Sequence, residues 1–293
     1  YAFRGADVRN ILDFRRDYPD AAVYRLELNY RSVGSVLSVA NAIISHNQGR
    51  IEKSLKPVKG EGEKVRLYRA ADHRAEADFV ARTIERLKAE RDLPFESFAV
   101  LYRTNAQSRV LEESLRRAGI PARIVGGVGF YDRREVKDVL SYARAALNPA
   151  DDVAWRRVLN RPKRGIGATS EQNLAAWAAR NGAPFSAACS NASEVLSGTP
   201  AAKRVTEFTE LMGDLTRAAE ELPAANFLKF VYDASGYVEA LRNEGTHEAE
   251  GRLENLEELL NAVAEWQEET GGSVAAFLDE AALLGSHDDR AVE

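Results

Sequence analysis

The sequence predicts an α/β fold with a parallel sheet, followed by an all-α region. Up to about residue 134, runs with the apolar density of buried strands alternate with runs of helical spacing, as in a parallel sheet with crossover helices. Beyond residue 134 the strand signals stop, and apolar residues recur only at helical spacing. This change of pattern predicts a boundary near the segment LNPADD, residues 147–152.

Predicted strands and helices alternate in the first half. The strands are AAVYRLEL, KVRLYRA, SFAVLYR and PARIVGG. The helices are residues 7–18, 32–46, 74–90 and 108–119, the last of which Gly119 ends. The stretch KSLKPVKGEGEK is predicted to be a loop because it is rich in Lys and Gly.

Only helices are predicted in the second half. The first is REVKDVLSYARAALN, which ends at Asn148 before a proline. Between Arg252 and Glu268 one apolar stripe consists of Leu253, Leu256, Leu259, Leu260, Val263 and Trp266. A stripe of this kind indicates core packing rather than a ligand groove.

Composition excludes several classes of protein. The 293 residues are 45% hydrophobic and 29% charged, as in globular proteins of about two domains. No apolar run is long enough to span a bilayer, and none has the layout of a signal peptide. The single cysteine, Cys189, excludes an internal disulfide framework and a cysteine zinc site, and the scattered histidines indicate no metal site. A reducing cytoplasm is therefore the expected compartment.

Charge is unevenly distributed along the chain. Residues 101–170 contain 14 Lys and Arg against 7 Asp and Glu, a net of +7. Residues 239–293 contain 3 Arg against 15 Asp and Glu, a net of −12. This polarity is compatible with a nucleic-acid face and a solvated acidic back, but simple clustering of surface charge is the better explanation on charge alone.

The stretch LELNYRS places Tyr30 and Arg31 after a strand-like run, where α/β proteins bind ligands. The planar guanidinium of Arg31 suits phosphate, and the ring of Tyr30 suits stacking on a base. A salt bridge for Arg31 and simple packing for Tyr30 are the alternatives.

The stretch YAFRGAD also combines aromatic residues with an arginine, as LELNYRS does. Tyr1 and Phe3 present aromatic faces that stack on nucleobases, and Arg4 precedes a glycine turn from which it can reach a phosphate. Core aromatics and a surface arginine are the alternative interpretation.

The stretch VLYRTNAQSRVLEE passes from a predicted strand into a predicted helix. Arg103, Thr104, Asn105 and Ser108 lie at the start of that helix, where N–H groups and the helix dipole favour an anion. Phosphates of a nucleic-acid strand would suit this position, but capping of the helix by Thr104 or Asn105 is the commoner explanation.

The stretch PKRGIGATS joins two predicted helices through Gly-Ile-Gly. Its glycines allow a partner to approach the backbone closely, and Lys163 and Arg164 flank them. The stretch is similar to a hairpin whose backbone N–H groups contact one phosphate strand of a duplex. A glycine-rich turn without a ligand is the alternative.

The order of these stretches is more specific than any one of them. YAFRGAD, LELNYRS, VLYRTNAQSRVLEESLRRAGIPARIVGGVGFYDRREVKDVLSYARAALNPADD, RPKRGIG and RLENLEEL closely resemble the UvrD/PcrA/Rep-type superfamily 1A DNA helicases, over essentially the whole chain. The resemblance implies two motor domains, 1A and 2A, each with an inserted domain, which bind ATP between them and move 3′→5′ along single-stranded DNA. On this resemblance the chain is expected to be an internal fragment of such a helicase.

The resemblance also implies a division of the chain. Residues 1–31 correspond to the end of 1A, residues 32–148 to the first part of 2A, residues 149–283 to the helical 2B insertion, and residues 284–293 to a truncated return toward 2A. The α/β part is then an incomplete RecA-like P-loop NTPase motor domain.

Roles at the nucleotide follow from the same resemblance. Arg4 would sense the γ-phosphate, Tyr30 would stack near the adenine and ribose, and Arg31 would act as an arginine finger on the transferring phosphoryl group. ATP and Mg²⁺ are the implied cofactors of the whole protein. None is expected to bind this chain alone, because it contains no GxxxxGK[ST] phosphate loop and no DExx-type acidic motif.

The implied DNA contacts fall into three groups. Tyr1 and Phe3 would stack on bases of the tracking strand. Single-stranded DNA would be touched by Arg103, Thr104, Asn105, Phe130, Tyr131 and Arg133. The duplex backbone would be gripped by Lys163, Arg164, Gly165, Gly167 and Thr169. Several relatives have Lys where this chain has Gly129, so one contact is expected to be missing there.

The leading hypothesis is therefore part of an ATP-dependent 3′→5′ DNA helicase or translocase in repair or replication. Its expected partners are single-stranded and duplex DNA together with repair or replication proteins, in the bacterial cytoplasm and without a membrane. One alternative is a motor-independent module, in which the helical half binds DNA junctions or docks on proteins. Another is a motor within a helicase–nuclease complex, although the sequence contains no nuclease cluster.

Overall fold

The computed structural model of the protein describes residues 13–47 and 53–285. By their contacts they form two compact units, one ending at Ala71 and the other beginning at Asp72.

The first unit is a β–α–β arrangement preceded by a single helical turn. Its elements are α1 (Phe14–Asp17), β1 (Leu28–Val33), α2 (Gly34–Ser45) and β2 (Lys56–Lys59). The two strands pair in parallel, with an irregular register between Asn29 and Val33. The side chain of Asn29 explains the irregularity, because its Oδ1 accepts the backbone N–H groups of Arg31 at 3.0 Å and Ser32 at 2.8 Å.

This unit buries little. Among its described residues, Gly34 and Leu37 are the buried ones. The helix predicted at residues 32–46 is confirmed by α2, but Val36 and Ile43 on its predicted apolar face are exposed.

The second unit is helical. Its helices are α3 (His73–Arg91), α4 (Ser108–Arg117), α5 (Arg134–Leu147), α6 (Asp152–Val158), α7 (Ala168–Asn181), α8 (Phe185–Ser190), α9 (Ala192–Val195), α10 (Pro200–Glu221), α11 (Ala224–Ser235), α12 (Tyr237–Glu244), α13 (His247–Thr270) and α14 (Val274–Gly285). Short 3₁₀ turns lie at Phe95–Ser97, Asn105–Gln107 and Phe130–Asp132. The helices predicted at 74–90, 108–119, 134–148 and 252–268 are confirmed.

Local sequence sets several helix limits. The side chains of Asp72, Asp151 and Thr246 each accept a backbone N–H in the first turn of α3, α6 and α13. Gly119 follows α4 with a φ of 68°, as predicted for the residue that ends this helix.

One large core holds the helices of the second unit from α5 onward. Its fully buried side chains include Tyr142, Phe208, Phe227 and Leu259. The apolar stripe of α13 is confirmed as core packing, since Leu256, Leu259 and Val263 are buried there. Because α5 shares this core with the helices that follow it, the boundary predicted near residues 147–152 does not coincide with a separation of cores.

The predicted sheet is larger than the observed one. The runs KVRLYRA, SFAVLYR and PARIVGG contain no strand, AAVYRLEL enters β1 only at Leu28, and β2 lies in the stretch predicted to be a loop. A strand forms where a neighbour pairs with its backbone, and these runs have no such neighbour among the described residues. Several of their apolar side chains are exposed instead, with Leu67 at 98%, Leu101 at 91% and Val125 at 84%. Within its described residues the protein is mostly helical, with a two-stranded parallel sheet.

Candidate nucleic-acid interface

The loop between α6 and α7 is a hairpin whose shape its own side chains fix. Asn160 donates from Nδ2 to the carbonyl of Ile166 at 2.7 Å. Its Oδ1 accepts the backbone N–H of Arg164 at 2.7 Å and that of Ile166 at 3.3 Å. Ile166 is itself buried in the main core. The glycines beside Ile166 are therefore presented by a braced turn rather than by a free loop.

Arg164 points into the protein. Its guanidinium donates to the carbonyls of Val158 at 3.1 Å, Pro162 at 3.3 Å and Ser235 at 3.3 Å. It also donates to the hydroxyl of Tyr142 at 2.6 Å. The family resemblance predicts Arg164 on the duplex backbone, but in this arrangement it supports the hairpin from its inner side.

The outer face of the hairpin carries Lys163, Gly165, Gly167 and Thr169, all exposed. Gly165 has a φ of 73°, which favours glycine. Gly167 is the N-cap of α7, and a Cβ at this position would meet no atom within 4 Å. Within the described part of the chain, the N–H groups of Gly167, Ala168 and Thr169 have no protein acceptor. Such a row of N–H groups at a helix start suits a phosphate oxygen.

Arg204 is a residue of this face that sequence reasoning missed. Its Nη1 donates to the carbonyl of Gly165 at 2.6 Å, and its side chain is exposed. It lies on α10, far along the chain from the hairpin, so no local pattern could have joined the two. Together with Lys163 it adds positive charge beside the N–H groups.

A buried carboxylate lies behind the hairpin. Asp138 on α5 is fully buried and accepts from Arg157 Nε at 2.8 Å, Arg161 Nη1 at 3.0 Å and the hydroxyl of Tyr237 at 2.8 Å. Burial and the neighbouring Asp138 raise the pKa of Tyr237. The hydroxyl of Tyr237 therefore stays protonated and can donate to the carboxylate. No sequence motif marked Asp138.

The turn at residues 103–107 is the second predicted contact surface. Thr104 and Gln107 form a capping box, in which Gln107 Oε1 accepts the backbone N–H groups of Arg103 at 2.8 Å and Thr104 at 3.1 Å. Thr104 therefore caps this 3₁₀ turn, whereas α4 itself begins after Gln107 without a side-chain cap hydrogen bond. The side chains of Arg103 and Asn105 are exposed on this turn.

Phe130, Tyr131 and Arg133 lie inside the protein, next to this turn. Phe130 and Tyr131 belong to the main core. The guanidinium of Arg133 is buried, and burial lowers its pKa. It donates to the carbonyl of Asn105 at 2.9 Å and to Ser108 Oγ at 2.7 Å. In this arrangement Arg133 supports the turn, and none of the three side chains faces solvent.

The predicted nucleotide residues lie in the first unit or outside the described residues. Tyr30 and Arg31 lie within β1 rather than beyond its end, and both are exposed. Tyr1, Phe3 and Arg4 lie outside the described residues. The duplex and single-strand groups therefore share the second unit, whereas Tyr30 and Arg31 belong to the first.

Among the described residues, no helix has both the length and the hydrophobicity that crossing a lipid bilayer requires. These residues also contain no group of three or more His, Cys, Asp or Glu side chains that could hold a metal ion.

Known proteins share this sequence over nearly its full length. The family described as UvrD-like helicase C-terminal domain matches residues 24–292. The chain is 40% identical to the ATP-dependent DNA helicase PcrA of Bacillus subtilis (strain 168), over 98% of this chain and 39% of that protein. PcrA of Leuconostoc citreum is 39% identical, over 99% of this chain and 40% of that protein. PcrA of Staphylococcus aureus (strain Mu50 / ATCC 700699) is 38% identical, over 100% of this chain and 40% of that protein.

The chain spans about two fifths of the length of these curated relatives. The family match covers almost all of the chain, including the hairpin and the turn at residues 103–107. On this match the chain belongs to the UvrD-like helicase family and corresponds to its C-terminal domain.

Proposed function

We propose that this chain is part of an ATP-dependent 3′→5′ DNA helicase and supplies surfaces that hold duplex and single-stranded DNA. One observation carries the proposal: a braced hairpin presents the N–H groups of Gly167, Ala168 and Thr169 outward without a protein acceptor among the described residues. Backbone N–H groups bind phosphate without reading bases, which suits a motor that moves along any sequence. The relatives' name, ATP-dependent DNA helicase PcrA, supports the same activity.

In this proposal the two surfaces have different chemistry. The hairpin holds the duplex backbone through its N–H groups, with Lys163 and Arg204 as the exposed cations. The turn at residues 103–107 holds the single strand through Arg103 and Asn105. Thr104, Phe130, Tyr131, Arg133 and Arg164 keep their predicted places at these surfaces, but they act from within the protein by fixing the backbone.

The nucleotide part of the proposal rests on Tyr30 and Arg31. An exposed guanidinium fits a phosphate, and an exposed ring fits a base. The chain has no sequence for a phosphate loop, and its described residues offer no acidic cluster for Mg²⁺. The residues present therefore fit a contribution to an ATP site and not a complete one. ATP and Mg²⁺ would be held mainly by other parts of the whole protein, and the chain alone should not hydrolyse ATP.

The hairpin provides a sharp test because one of its glycines is sterically free. In Gly167→Ala the added methyl group meets no protein atom within 4 Å, and because alanine is a poorer N-cap than glycine, the free energy of unfolding should fall by no more than about 1 kcal/mol. The methyl group would, however, stand where a phosphate approaches. We expect duplex affinity, measured by fluorescence anisotropy, to fall about tenfold. Gly213→Ala is the matched control, because this helical glycine also has open space around it.

Salt dependence tests the same surface independently. A phosphate contact made by a cation adds about 0.9 to the negative slope of log affinity against log salt. We expect Lys163→Ala to make the slope less negative by about 0.9, the value for one phosphate contact, and Lys64→Ala in the first unit to leave the slope unchanged. A wild-type chain whose duplex affinity does not depend on salt, or a Gly167→Ala variant that binds like wild type, would contradict the proposal.

A second candidate function is a motor-independent DNA-junction or protein-docking module. The observation that favours it is the self-contained core of the second unit, which includes the hairpin. Full-length protein with an inactivated ATP site should still bind forked DNA on this view. DNA-stimulated ATP hydrolysis that Arg31→Ala abolishes would favour the motor instead.

The domain limits belong to the same proposal: 1–31 as the end of 1A, 32–148 as the first part of 2A, 149–283 as 2B, and 284–293 as the return toward 2A. Repair or replication proteins as partners and a bacterial cytoplasmic location complete it. Their support is the family membership and the bacterial relatives.

A further inference from the structure

Two buried acidic side chains lie one turn apart on α5 and have different partners. Glu135 and Asp138 are separated by about 4.5 Å along the helix axis. Glu135 Oε1 accepts from Asn255 Nδ2 at 2.6 Å. Asp138 instead receives the arginines of α6 and its following loop.

The partners of Glu135 lead to the turn at residues 103–107. Asn255 lies in the RLENLEEL stretch of α13 and is buried. Its Oδ1 accepts from Arg133 Nη1 at 2.8 Å, and the same Nη1 donates to the carbonyl of Asn105. A continuous chain of polar contacts, buried as far as Arg133, therefore runs from α5 through Asn255 and Arg133 to the predicted single-strand surface.

The partners of Asp138 lead to the hairpin. Arg161 Nη1 donates to both carboxylate oxygens, at 3.0 and 3.2 Å. The carbonyl of Arg161 accepts from the Tyr142 hydroxyl, which itself accepts from Arg164. Burial raises the pKa of Tyr142 to about 12, so its hydroxyl keeps the proton that this chain of contacts needs. This second chain of contacts ends at the duplex surface.

We propose that α5 is a strut, meaning a fixed element that positions both DNA surfaces. Asp138 is the positioning residue for the hairpin. Asn255, acting through Arg133, is the positioning residue for the turn at residues 103–107. The inference rests on the proposed function, because it assigns the roles of the groups behind the same surfaces. Buried ion pairs add little net stability compared with apolar packing, and in some proteins their role is to fix geometry. A strut needs that fixed geometry.

The test measures the binding of each variant to two oligonucleotides, one duplex and one single-stranded. Asp138→Asn should weaken duplex binding about tenfold and change single-strand binding by less than about twofold. Asn255→Ala should do the reverse. Tyr237→Phe removes a hydrogen bond to Asp138 and should weaken duplex binding about threefold. Ser108→Ala removes a hydrogen bond from Arg133 and should weaken single-strand binding about threefold. These milder variants decide the matter if the stronger ones do not fold.

Hydrogen exchange separates this inference from the proposed function. We expect Asp138→Asn and Tyr237→Phe to speed exchange of backbone amides at residues 164–170 and not at residues 104–108, and the Asn255 and Ser108 variants to do the reverse. A wild-type chain that binds no DNA would overturn the proposed function. The exchange pattern would still show whether α5 positions the two surfaces. Equal effects at both surfaces, or no effect at either, would overturn the strut.

Discussion

Lys163 and Arg164 are adjacent cations that the structure treats in opposite ways. The Lys163 side chain is exposed, whereas the guanidinium of Arg164 spans the end of α6, Tyr142 and the end of α11. Its Cζ also lies 5.2 Å from the centre of the Phe208 ring. A planar guanidinium can serve several acceptors and a ring at once, which a lysine cannot.

Arg164→Lys should therefore cost stability although it keeps the charge. We expect the free energy of unfolding to fall by about 2 kcal/mol, because several carbonyls lose their donor. Urea denaturation followed by circular dichroism measures this. Lys163→Ala is the control and should change the free energy of unfolding by less than about 0.5 kcal/mol. A loss for Lys163→Ala as large as that for Arg164→Lys would show that this assignment of inner and outer cation is wrong.

At the scale of elements, ion pairs join α3, α4 and α13. Arg109 on α4 is buried and binds Glu113 at 3.1 Å, Glu258 at 2.7 Å and Glu265 at 3.2 Å. Burial alone would lower the pKa of Arg109, but Glu113 and Glu258 raise it overall. Arg74 and His73 of α3 also meet Glu265. Part of the acidic C-terminal region thus faces basic helices inside the protein and is not simply a solvated back.

This cluster predicts a pH effect. Burial would raise the pKa of Glu265, but Arg109 and Arg74 lower it overall. Its contribution to stability is therefore present above its ordinary pKa and lost as the pH falls through the lowered value. Glu265→Gln should reduce the free energy of unfolding by about 1 kcal/mol at pH 7, and the difference from wild type should shrink in acid.

The measurement is urea denaturation across the acid range, with Glu268→Gln on the exposed face of α13 as the control. We expect the control to follow wild type at every pH. A Glu265→Gln difference that stays constant down to strongly acidic pH would contradict a lowered pKa.

Helices and strands also differ in how well the sequence predicted them. The periodicity of residues 74–90 or 252–268 was sufficient, because a helix satisfies its own backbone. The run SFAVLYR has the pattern of a strand, yet a strand depends on a neighbouring strand that the pattern does not specify. Leu101 within it is exposed for this reason.

At the scale of the molecule, the two units differ in how much they bury. The second has a large core of aromatic and aliphatic side chains from α5 onward, and a small separate cluster between α3 and α4. In the first, Gly34 and Leu37 are the buried residues among those described. A two-stranded sheet with one helix has little independent stability in water.

Residues 72–293 expressed alone should therefore fold. We expect a cooperative thermal transition within about 3 °C of the main transition of the whole chain. Residues 1–71 alone should show no cooperative transition. Differential scanning calorimetry of the three proteins measures both, and loss of the transition in residues 72–293 would show that this unit depends on the first.

The sequence by itself determined the family, most helices, the two segments that form the candidate DNA surfaces, and the lack of a phosphate loop. These features depend on residue order and on contacts within a few residues. The tertiary structure alone decided that Arg164 points inward, that Arg204 joins the hairpin, and that Asp138 and Asn255 stand behind the two surfaces. Each of these depends on partners from distant helices. Which side chains meet there is set by how the helices pack, and no local pattern contains that information.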